Sequence, residues 1–343
     1  MLDKKTYQVS FIILIVLLIV CFFVNISLGS VSIPLKAIVN SLIGNATDQE
    51  TWQLIIQNYR LPKALTAIIV GSGLGISGLL MQTLFRNPLA GPFVLGISSG
   101  ASLGVALVIL GSNIFGGVLA VIMISKWGIV LAASIGSFLV LIAVLLVSLK
   151  VQDTMAILII GLMFASITAA IVSVLSFFGS AEQLQQYIFW GFGSLGNLTW
   201  DDLIILLSIY SIGLILGIAS IKSLNTFLLG ENYAKSLGLN LKQSRFLIII
   251  ATSLLAGTIT AFTGPIAFIG LAIPHLTRQV FNTSNHKILL PAVFLFGAIV
   301  MLICDIIAQL PHSDYTLPIN AITSLVGAPV VIWLLVRKRK MIF

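Results

Sequence analysis

Long apolar runs, separated by short polar or glycine- and proline-containing breaks, extend along nearly the whole chain. Ten runs approach the length of about 20 apolar residues that a helix needs to cross a bilayer. They lie near residues 10–28, 62–82, 93–111, 127–149, 155–178, 202–221, 246–263, 265–281, 288–310 and 319–336. Each run is continuous rather than alternating, and an open sheet edge would leave its backbone unsatisfied in lipid. The pattern therefore predicts an all-α, polytopic membrane protein with about ten transmembrane helices, forming a single domain over residues 1–343.

The composition agrees with a chain surrounded mostly by lipid. Hydrophobic residues make up 59% of the 343 residues and charged residues only 8%, whereas a soluble domain carries roughly 25% charged residues. The formal net charge of +8 comes from separate short loops that build no basic face, which argues against a nucleic-acid partner. Cys21 and Cys304 lie in apolar runs, without the spacing of a zinc site or a disulfide framework.

Two short segments admit more than one interpretation. Lys4 and Lys5, the apolar residues 11–24 and the small residues 27–29 have the form of a secretory signal peptide with a cleavage site. We favour an uncleaved first span, because the same apolar character continues along the chain. Residues 113–125 are apolar but short, and we expect them to form an interfacial piece.

The distribution of Lys and Arg predicts the orientation, because cytoplasmic loops of membrane proteins are enriched in these residues. Ten spans place both termini on one side. Fourteen of the 18 Lys and Arg residues fall on that side, namely Lys4, Lys5, Arg86, Lys150, Lys222, Lys235, Lys242, Arg245, Arg278, Lys287, Arg337, Lys338, Arg339 and Lys340. Only Lys36, Arg60, Lys63 and Lys126 fall on the other side. Both termini are therefore predicted to be cytoplasmic.

Ionisable residues are nearly absent from the apolar runs, and Asp305 is the clearest exception. Carriers coupled to protons or sodium ions usually need buried charges for the coupling ion. This scarcity favours an external energy source. The chain contains no G-x-x-x-x-G-K-[ST] loop, so ATP, if it drives the protein, must be bound by another subunit.

Three glycine-containing patterns match well-known catalytic or nucleotide-binding motifs, but each lies in the wrong context. The sequences at 73–78 (GLGISG) and 191–196 (GFGSLG) fit G-x-G-x-x-G, a fingerprint that requires a preceding strand. The sequence at 96–100 (GISSG) fits G-x-S-x-G, which needs a sheet to carry the nucleophile. No catalytic residue set and no metal-ligand set is predicted.

The glycines fit a packing role better. Three pairs have the small-xxx-small spacing that lets helix backbones approach closely in lipid. They are Gly71 with Gly75, Gly100 with Gly104, and Gly213 with Gly217. The pattern predicts tight contacts between helices at these positions.

One loop on the predicted cytoplasmic side, at about 222–245, carries a polar element, LLGENYAKSLGLN at 228–240. Residues 231–237 predict a two-turn helix in which Glu231 and Lys235 form an ion pair one turn apart. Gly238 suits the left-handed position just beyond the helix. A helix this short is not stable alone.

The short helix must therefore pack on something, and Leu228, Leu229 and Leu237 give it an apolar side. One interpretation is that it packs on its own chain as an ordinary loop. The other is that it docks onto a cytoplasmic partner. The residues alone leave both open.

Several motifs, in order along almost the whole chain, resemble the FecCD/vitamin B12 permease family. They are RLPKAL (60–65), SGLLMQTLFRNPLAGPFVLGISSGAS (77–102), LLGENYAKSLG (228–238), GPIAFIGLAIPHLTR (264–278) and LVGAPVVIWLL (325–335). That family supplies the membrane subunits of bacterial ATP-driven importers for ferric siderophores, haem and cobalamin. The resemblance implies a type II ABC importer permease fold with ten helices per subunit.

The resemblance also implies partners and a coupling site. The chain would form a homodimer joined by two ATP-binding subunits, which hold the ATP and magnesium, and would be fed by an extracytoplasmic substrate-binding protein. This chain itself would bind no cofactor. In the family the short loop helices sit in a cleft of the ATPase, and the matching positions here are Leu229, Gly230, Glu231, Ala234, Leu237 and Gly238.

On the opposite side the resemblance implies that Arg60 and Lys63 meet acidic residues of the substrate-binding protein. A lysine replaces the commoner arginine at 63, which keeps the charge but loses the bidentate fork. Another position that is sometimes basic in the family is Gln309 here. The alternative is that Arg60 and Lys63 are ordinary anchors at the membrane surface.

The substrate path of such a dimer would be lined largely by the span at 155–178. Its mildly polar residues Ser166, Thr168 and Ser173 would give a wall without tight binding sites. Asp153 and Thr154, which precede this span, are gate candidates, and helix capping by Asp153 is the alternative.

The sequence thus predicts a non-catalytic permease subunit that carries a ferric siderophore across the cytoplasmic membrane. Haem and cobalamin are the alternative cargoes. An ion-coupled carrier that works alone is the alternative from another class.

Overall fold

The computed structural model describes residues 4–47, 49–112, 122, 124–151, 154–311, 313 and 315–336. Every regular element in this part of the chain is a helix. The first helices are α1 (Lys4–Ser27), α2 (Leu35–Ile43), α3 (Glu50–Ile55), α4 (Leu61–Leu84), α5 (Ile97–Ile109), α6 (Lys126–Lys150) and α7 (Thr154–Phe178). The others are α8 (Ala181–Gly191), α9 (Trp200–Ala219), α10 (Ile221–Phe227), α11 (Glu231–Ser236), α12 (Leu241–Thr263), α13 (Ile269–Phe281), α14 (His286–Ala308) and α15 (Ile319–Val336). A π-helical turn, Ile56–Arg60, joins α3 to α4, and a 3₁₀ turn, Pro92–Leu95, precedes α5. The all-α prediction is confirmed for the described residues.

Seven helical segments of the described chain are long and apolar enough to cross a membrane. They are Thr6–Ser27, Glu50–Leu84, Lys126–Val144, Ile159–Phe178, Trp200–Ala219, Leu241–Thr263 and His286–Ala308. The other three predicted spans coincide with the shorter helices α5, α13 and α15. All ten predicted runs therefore contain a helix, whereas the number of membrane crossings stays a prediction. The predicted interfacial piece at 113–125 lies mostly outside the described residues.

The run predicted at 265–281 is helical only in its second part. The chain leaves α12 at Gly264, which has a φ of 75°, and α13 begins only at Ile269, after Phe268 with a φ of 66°. Proline at 265 removes a backbone donor, and positive φ values interrupt helical geometry. The result is a short α13 of 13 residues.

The chain divides into two compact units, each with its own helix contacts. The first comprises residues 1–76, 194–208 and 266–342. Within it α4 and α14 touch backbone to backbone, because a Cβ atom at Gly71 would overlap the carbonyl oxygen of Gly297 and lie 2.5 Å from Cβ of Met301. The close approach predicted for Gly71 is confirmed.

The second unit comprises residues 77–193 and 209–265. Here α5 crosses α6 closely, since a Cβ atom at Gly100 or Gly104 would overlap a carbonyl oxygen of Gly136 or Ala132. The same two helices contribute to a buried apolar cluster of Ala101, Val105, Ile109, Val130, Ala133 and Ala261. The G-x-G-x-x-G sequence at 73–78 lies inside α4, so it lacks the preceding strand that nucleotide binding requires.

Candidate coupling and docking sites

The polar element of the loop forms the short helix α11, as predicted. Its C-terminus is closed by two backbone bonds, in which Gly238 N–H donates to Lys235 O (3.0 Å) and Leu239 N–H donates to Ala234 O (3.1 Å). Gly238 has a φ of 81°. This pair of bonds with a left-handed glycine is the Schellman motif, which satisfies the last carbonyls of a helix. The chain therefore stops α11 sharply after less than two full turns.

A salt bridge fixes α11 to the following helix. Glu231 at the start of α11 accepts from Arg245 Nη2 of α12 at 2.5 Å. The prediction paired Glu231 with Lys235 instead, and within the described residues this pairing is wrong. The reason is that α12 folds back beside α11 and presents a cation that is already partly desolvated, with a side chain only 10% exposed. Ala234 is fully buried on the same side.

The opposite side of the loop helix is apolar and exposed. Leu229, Tyr233 and Leu237 are 58%, 57% and 60% exposed. Tyr233 and Leu237 are one turn apart at the end of α11, whereas Leu229 precedes the helix, beyond Gly230 with a φ of 98°, and shares a surface cleft with Tyr233. We call these three residues the apolar face. The described part of the chain does not cover this face. α11 thus packs on its own chain through Ala234 and the bridge to Arg245, while Leu229 and Leu237 stay exposed, so docking onto a partner stays a prediction.

A cleft of about 710 Å³ lies beside this face. Its walls come from Arg86, Leu229, Gly230, Glu231, Asn232, Tyr233 and Ser236. Sequence reasoning missed Tyr233 and Arg86. The four-residue spacing of Tyr233 and Leu237 was a readable signal for Tyr233. Arg86 is more than 140 positions away from α11 in the sequence, so no local pattern connects the two.

The second candidate site contains Lys63 and Asp305. Lys63 Nζ lies 3.1 Å from Asp305 Oδ1. The other carboxylate oxygen of Asp305 accepts from Asn25 Nδ2 (2.9 Å) and Gln309 Nε2 (2.7 Å). The side chain of Asp305 is 3% exposed and that of Lys63 is 21% exposed. Asp305, the exceptional charge in the predicted ninth span, thus has three partners within the chain: Asn25 of α1, Lys63 of α4 and Gln309 at the C-cap of α14.

Arg60 is likewise bonded within the chain. Its guanidinium donates to the carbonyl oxygens of Ile26 (2.7 Å) and Ser27 (2.9 Å), and to that of Val31. Arg60 therefore closes the C-terminus of α1, where the last carbonyls lack helical partners. The predicted docking of both cations to a binding protein stays a prediction, and the geometry gives each of them a structural role as well.

The candidates on α7 divide between two environments. Ser166 and Ser173 are exposed, and their hydroxyls donate to the backbone of their own helix, at Leu162 O (3.1 Å) and Ala169 O (2.9 Å). Thr168 is buried and donates to Ala165 O. Thr154 is the first residue of α7. Asp153 lies outside the described residues, so both its role as a gate and its alternative role as a helix cap stay predictions.

Seven helical segments long and apolar enough to cross a membrane, with the short helix α11 between two of them, define the class of a polytopic membrane protein. The chain belongs to the FecCD transport family, whose model matches residues 17–337. It is an ABC importer permease, a non-catalytic multi-pass subunit of the inner membrane. The family implies ATPase and substrate-binding partners and a dimeric arrangement.

Similar proteins include curated permeases. The hemin transport system permease HmuU of Yersinia pestis is 34% identical over 328 residues, which cover 95% of each chain. The vitamin B12 import permease BtuC of Klebsiella pneumoniae is 38% identical over 288 residues, which cover 84% of each chain.

Solved structures agree with this assignment. A chain described as an inward-facing conformation of a metal-chelate-type ABC transporter has a TM-score of 0.82 and 30% identity, covering 95% of this chain and 98% of that one. PsaBC from Streptococcus pneumoniae has a TM-score of 0.55 at 17% identity, covering 88% and 95%, which supports the fold alone.

Proposed function

We propose that the chain imports a ferric siderophore, as a homodimer driven by two ATPase subunits and supplied by an extracytoplasmic binding protein. Both termini and the loop that carries α11 face the cytoplasm. ATP binding closes the two ATPases and displaces α11, and the attached α12 tilts with it.

The observation that carries this proposal is the exposed apolar face formed by Leu229, just before α11, and by Tyr233 and Leu237. The Glu231–Arg245 bridge of 2.5 Å attaches α11 to α12, and its C-terminus is closed at Gly238. A rigid element transmits displacement, whereas a loose loop would absorb it. An apolar face outside the membrane spans is the kind of surface that marks a protein interface.

The nature of the cargo is supported by the wall of α7. No residue from 154 to 178 is charged or a histidine, so the wall offers no strong ligand for a bare metal ion. This suits a cargo whose metal is already coordinated by an organic chelator. The relatives named for hemin and vitamin B12, and the structure named for a metal chelate, carry cargoes of that kind.

The wall itself does not distinguish a siderophore from haem or cobalamin. The hydroxyls of Ser166 and Ser173 donate to the backbone, and large apolar residues such as Ile167 and Ile171 are exposed beside them. A ferric siderophore is proposed as one of the metal-chelate cargoes that the family carries. Haem and cobalamin remain the alternative cargoes for the same path.

The test is uptake by proteoliposomes that contain the chain with its co-purified ATPase and binding protein. Ferric siderophore, haem and cobalamin are each supplied on the side of the binding protein, with ATP either present on the ATPase side or omitted. We expect ATP-dependent uptake of a ferric siderophore. Uptake of only haem or only cobalamin would refute the proposal that the cargo is a ferric siderophore. Accumulation on a proton or sodium gradient, by the chain without any ATPase, would refute the importer and support the ion-coupled carrier.

Docking of the binding protein to Arg60 and Lys63 is tested by reversing each charge singly and then both. Binding is compared only among variants that unfold at the wild-type temperature, because both residues also hold contacts within the chain. We expect the affinity for the binding protein to fall, with a smaller difference from wild type at high salt because surface charge pairs are screened. The matched control is Lys36→Glu, an exposed cation on the same predicted side. Equal affinities of the wild type and the reversed variant at every ionic strength would count against this docking site.

A further inference from the structure

Arg86 lies at the end of α4 in a conformation that glycine usually adopts. Its φ is 47°, in the left-handed region that non-glycine residues rarely enter. Arg86 N–H donates to Thr83 O (3.2 Å) and Asn87 N–H donates to Gln82 O (3.1 Å). These two bonds form a second Schellman motif, with Arg86 at the position normally taken by glycine. The turn therefore holds a cation where an uncharged glycine would be conformationally easier.

This strained turn places the guanidinium beside α11. A Cβ atom on Gly230 would lie 3.6 Å from Nη1 of Arg86. Arg86 is exposed and forms one wall of the 710 Å³ cleft whose other wall includes Tyr233 and Leu229. The guanidinium of Arg86 therefore lies next to the exposed apolar face and lines a cleft that is large enough for side chains of another protein.

The charged residues that line the cleft are Arg86 and Glu231. Glu231 is the single acidic residue between positions 222 and 245, and it is already bonded to Arg245. The same segment also exposes Lys222, Lys235 and Lys242. Of the two charges that line the cleft, Glu231 is thus paired within the chain, which leaves Arg86 to meet an acidic group of the partner.

We infer that Arg86 binds a carboxylate on the ATPase subunit, and that this contact selects the partner and fixes the register of α11 on it. This inference rests on the proposed function. A guanidinium offers a planar fork of donors that a carboxylate can accept in two parallel bonds. The apolar face supplies area that docking would bury, but apolar contacts alone do not fix the orientation of α11 on the ATPase. One bidentate charge pair at the edge of this face would fix that orientation.

The experiment measures dissociation of the ATPase that co-purifies with the wild-type chain, over a range of salt concentrations. The variants are Arg86→Glu, Arg86→Lys and Arg86→Gly, and the control is Lys287→Glu, an exposed cation outside the cleft. We expect Arg86→Glu to weaken the complex about tenfold or more at low salt and less at high salt. Arg86→Lys should weaken it by a smaller factor, and Lys287→Glu should leave it unchanged.

Arg86→Gly separates recognition from folding. Glycine removes the strain at φ 47°, so this variant should unfold at the same temperature as the wild type or a higher one, while it holds the ATPase more weakly than Arg86→Lys does. Wild-type affinity in Arg86→Glu would overturn the inference, and so would an equal loss in Lys287→Glu. If no ATPase co-purifies with the wild-type chain, the proposed function itself fails.

Discussion

The buried pair of Lys63 and Asp305 leads to an asymmetric prediction about stability. The three variants are Lys63→Met, Asp305→Asn and the double variant, each of which changes charge with little change in size. In each single variant one charge loses its partner at 3.1 Å. The two orphaned charges differ in their access to water, because the side chain of Asp305 is 3% exposed and that of Lys63 is 21% exposed.

The magnitudes follow from this difference. Removing one partner of a buried pair costs about 3–5 kcal/mol, and Lys63→Met should fall in this range because it strands the carboxylate. Asp305→Asn leaves the lysine, whose ammonium can reach water, so we expect a smaller loss of about 2 kcal/mol. The amide oxygen introduced by this substitution can still accept from Asn25 and Gln309, which limits the loss further. The double variant should lie within about 1 kcal/mol of the wild type, because no charge is stranded.

The assay is reversible unfolding in mixed micelles titrated with a denaturing detergent, without any binding protein present. The free energy of unfolding of all four proteins gives the coupling between the two residues as a double-mutant cycle. The reasoning would be refuted if Asp305→Asn cost as much as Lys63→Met, or if the double variant were less stable than both single variants.

Three further predictions concern other parts of the chain. Tyr233→Arg with Leu237→Arg, at two exposed positions of the apolar face, should leave ATP hydrolysis by the assembled transporter intact while abolishing uptake, with Lys235→Ala as a control at another exposed position; unchanged uptake would remove α11 from the coupling path. A cysteine at Ser236, which is exposed, should react with a membrane-impermeant maleimide only after the cells are opened, and labelling of intact cells would reverse the predicted orientation. Gly71→Val should destabilise the protein at the α4–α14 contact by about 3 kcal/mol or more, which would appear as a lower unfolding temperature. The control Gly191→Ala should be neutral, because no heavy atom lies within 4 Å of its new Cβ. Equal unfolding temperatures of the two variants would contradict the close packing.

The elements that follow from local pattern were predictable. Apolar runs locate the long helices because the bilayer imposes a length and a composition on any segment that crosses it. The end of α11 was also readable, since Gly238 next to a short helical pattern is a local signal. The interruption before α13 was marked by Gly264 and Pro265, although the sequence alone did not show that the helix would start as late as Ile269.

The partners of the charged residues were not predictable in the same way. Lys63 and Asp305 are far apart in the sequence, and Glu231 pairs with Arg245 rather than with the nearer Lys235. Each pairing depends on how the helices fold back on one another, which a single sequence does not show. The same holds for Arg60, predicted as a docking residue, whose bonds to the end of α1 no local pattern indicated.

The glycine contact between α4 and α14 has a consequence for movement. At Gly71 and Gly297 the two main chains meet with no side chain between them that could rotate and make room. A slide of one residue along either axis, about 1.5 Å, would drive the bulkier neighbours into that gap. During a transport cycle we therefore expect α4 and α14 to move together at this contact, and any bending to occur elsewhere in the subunit.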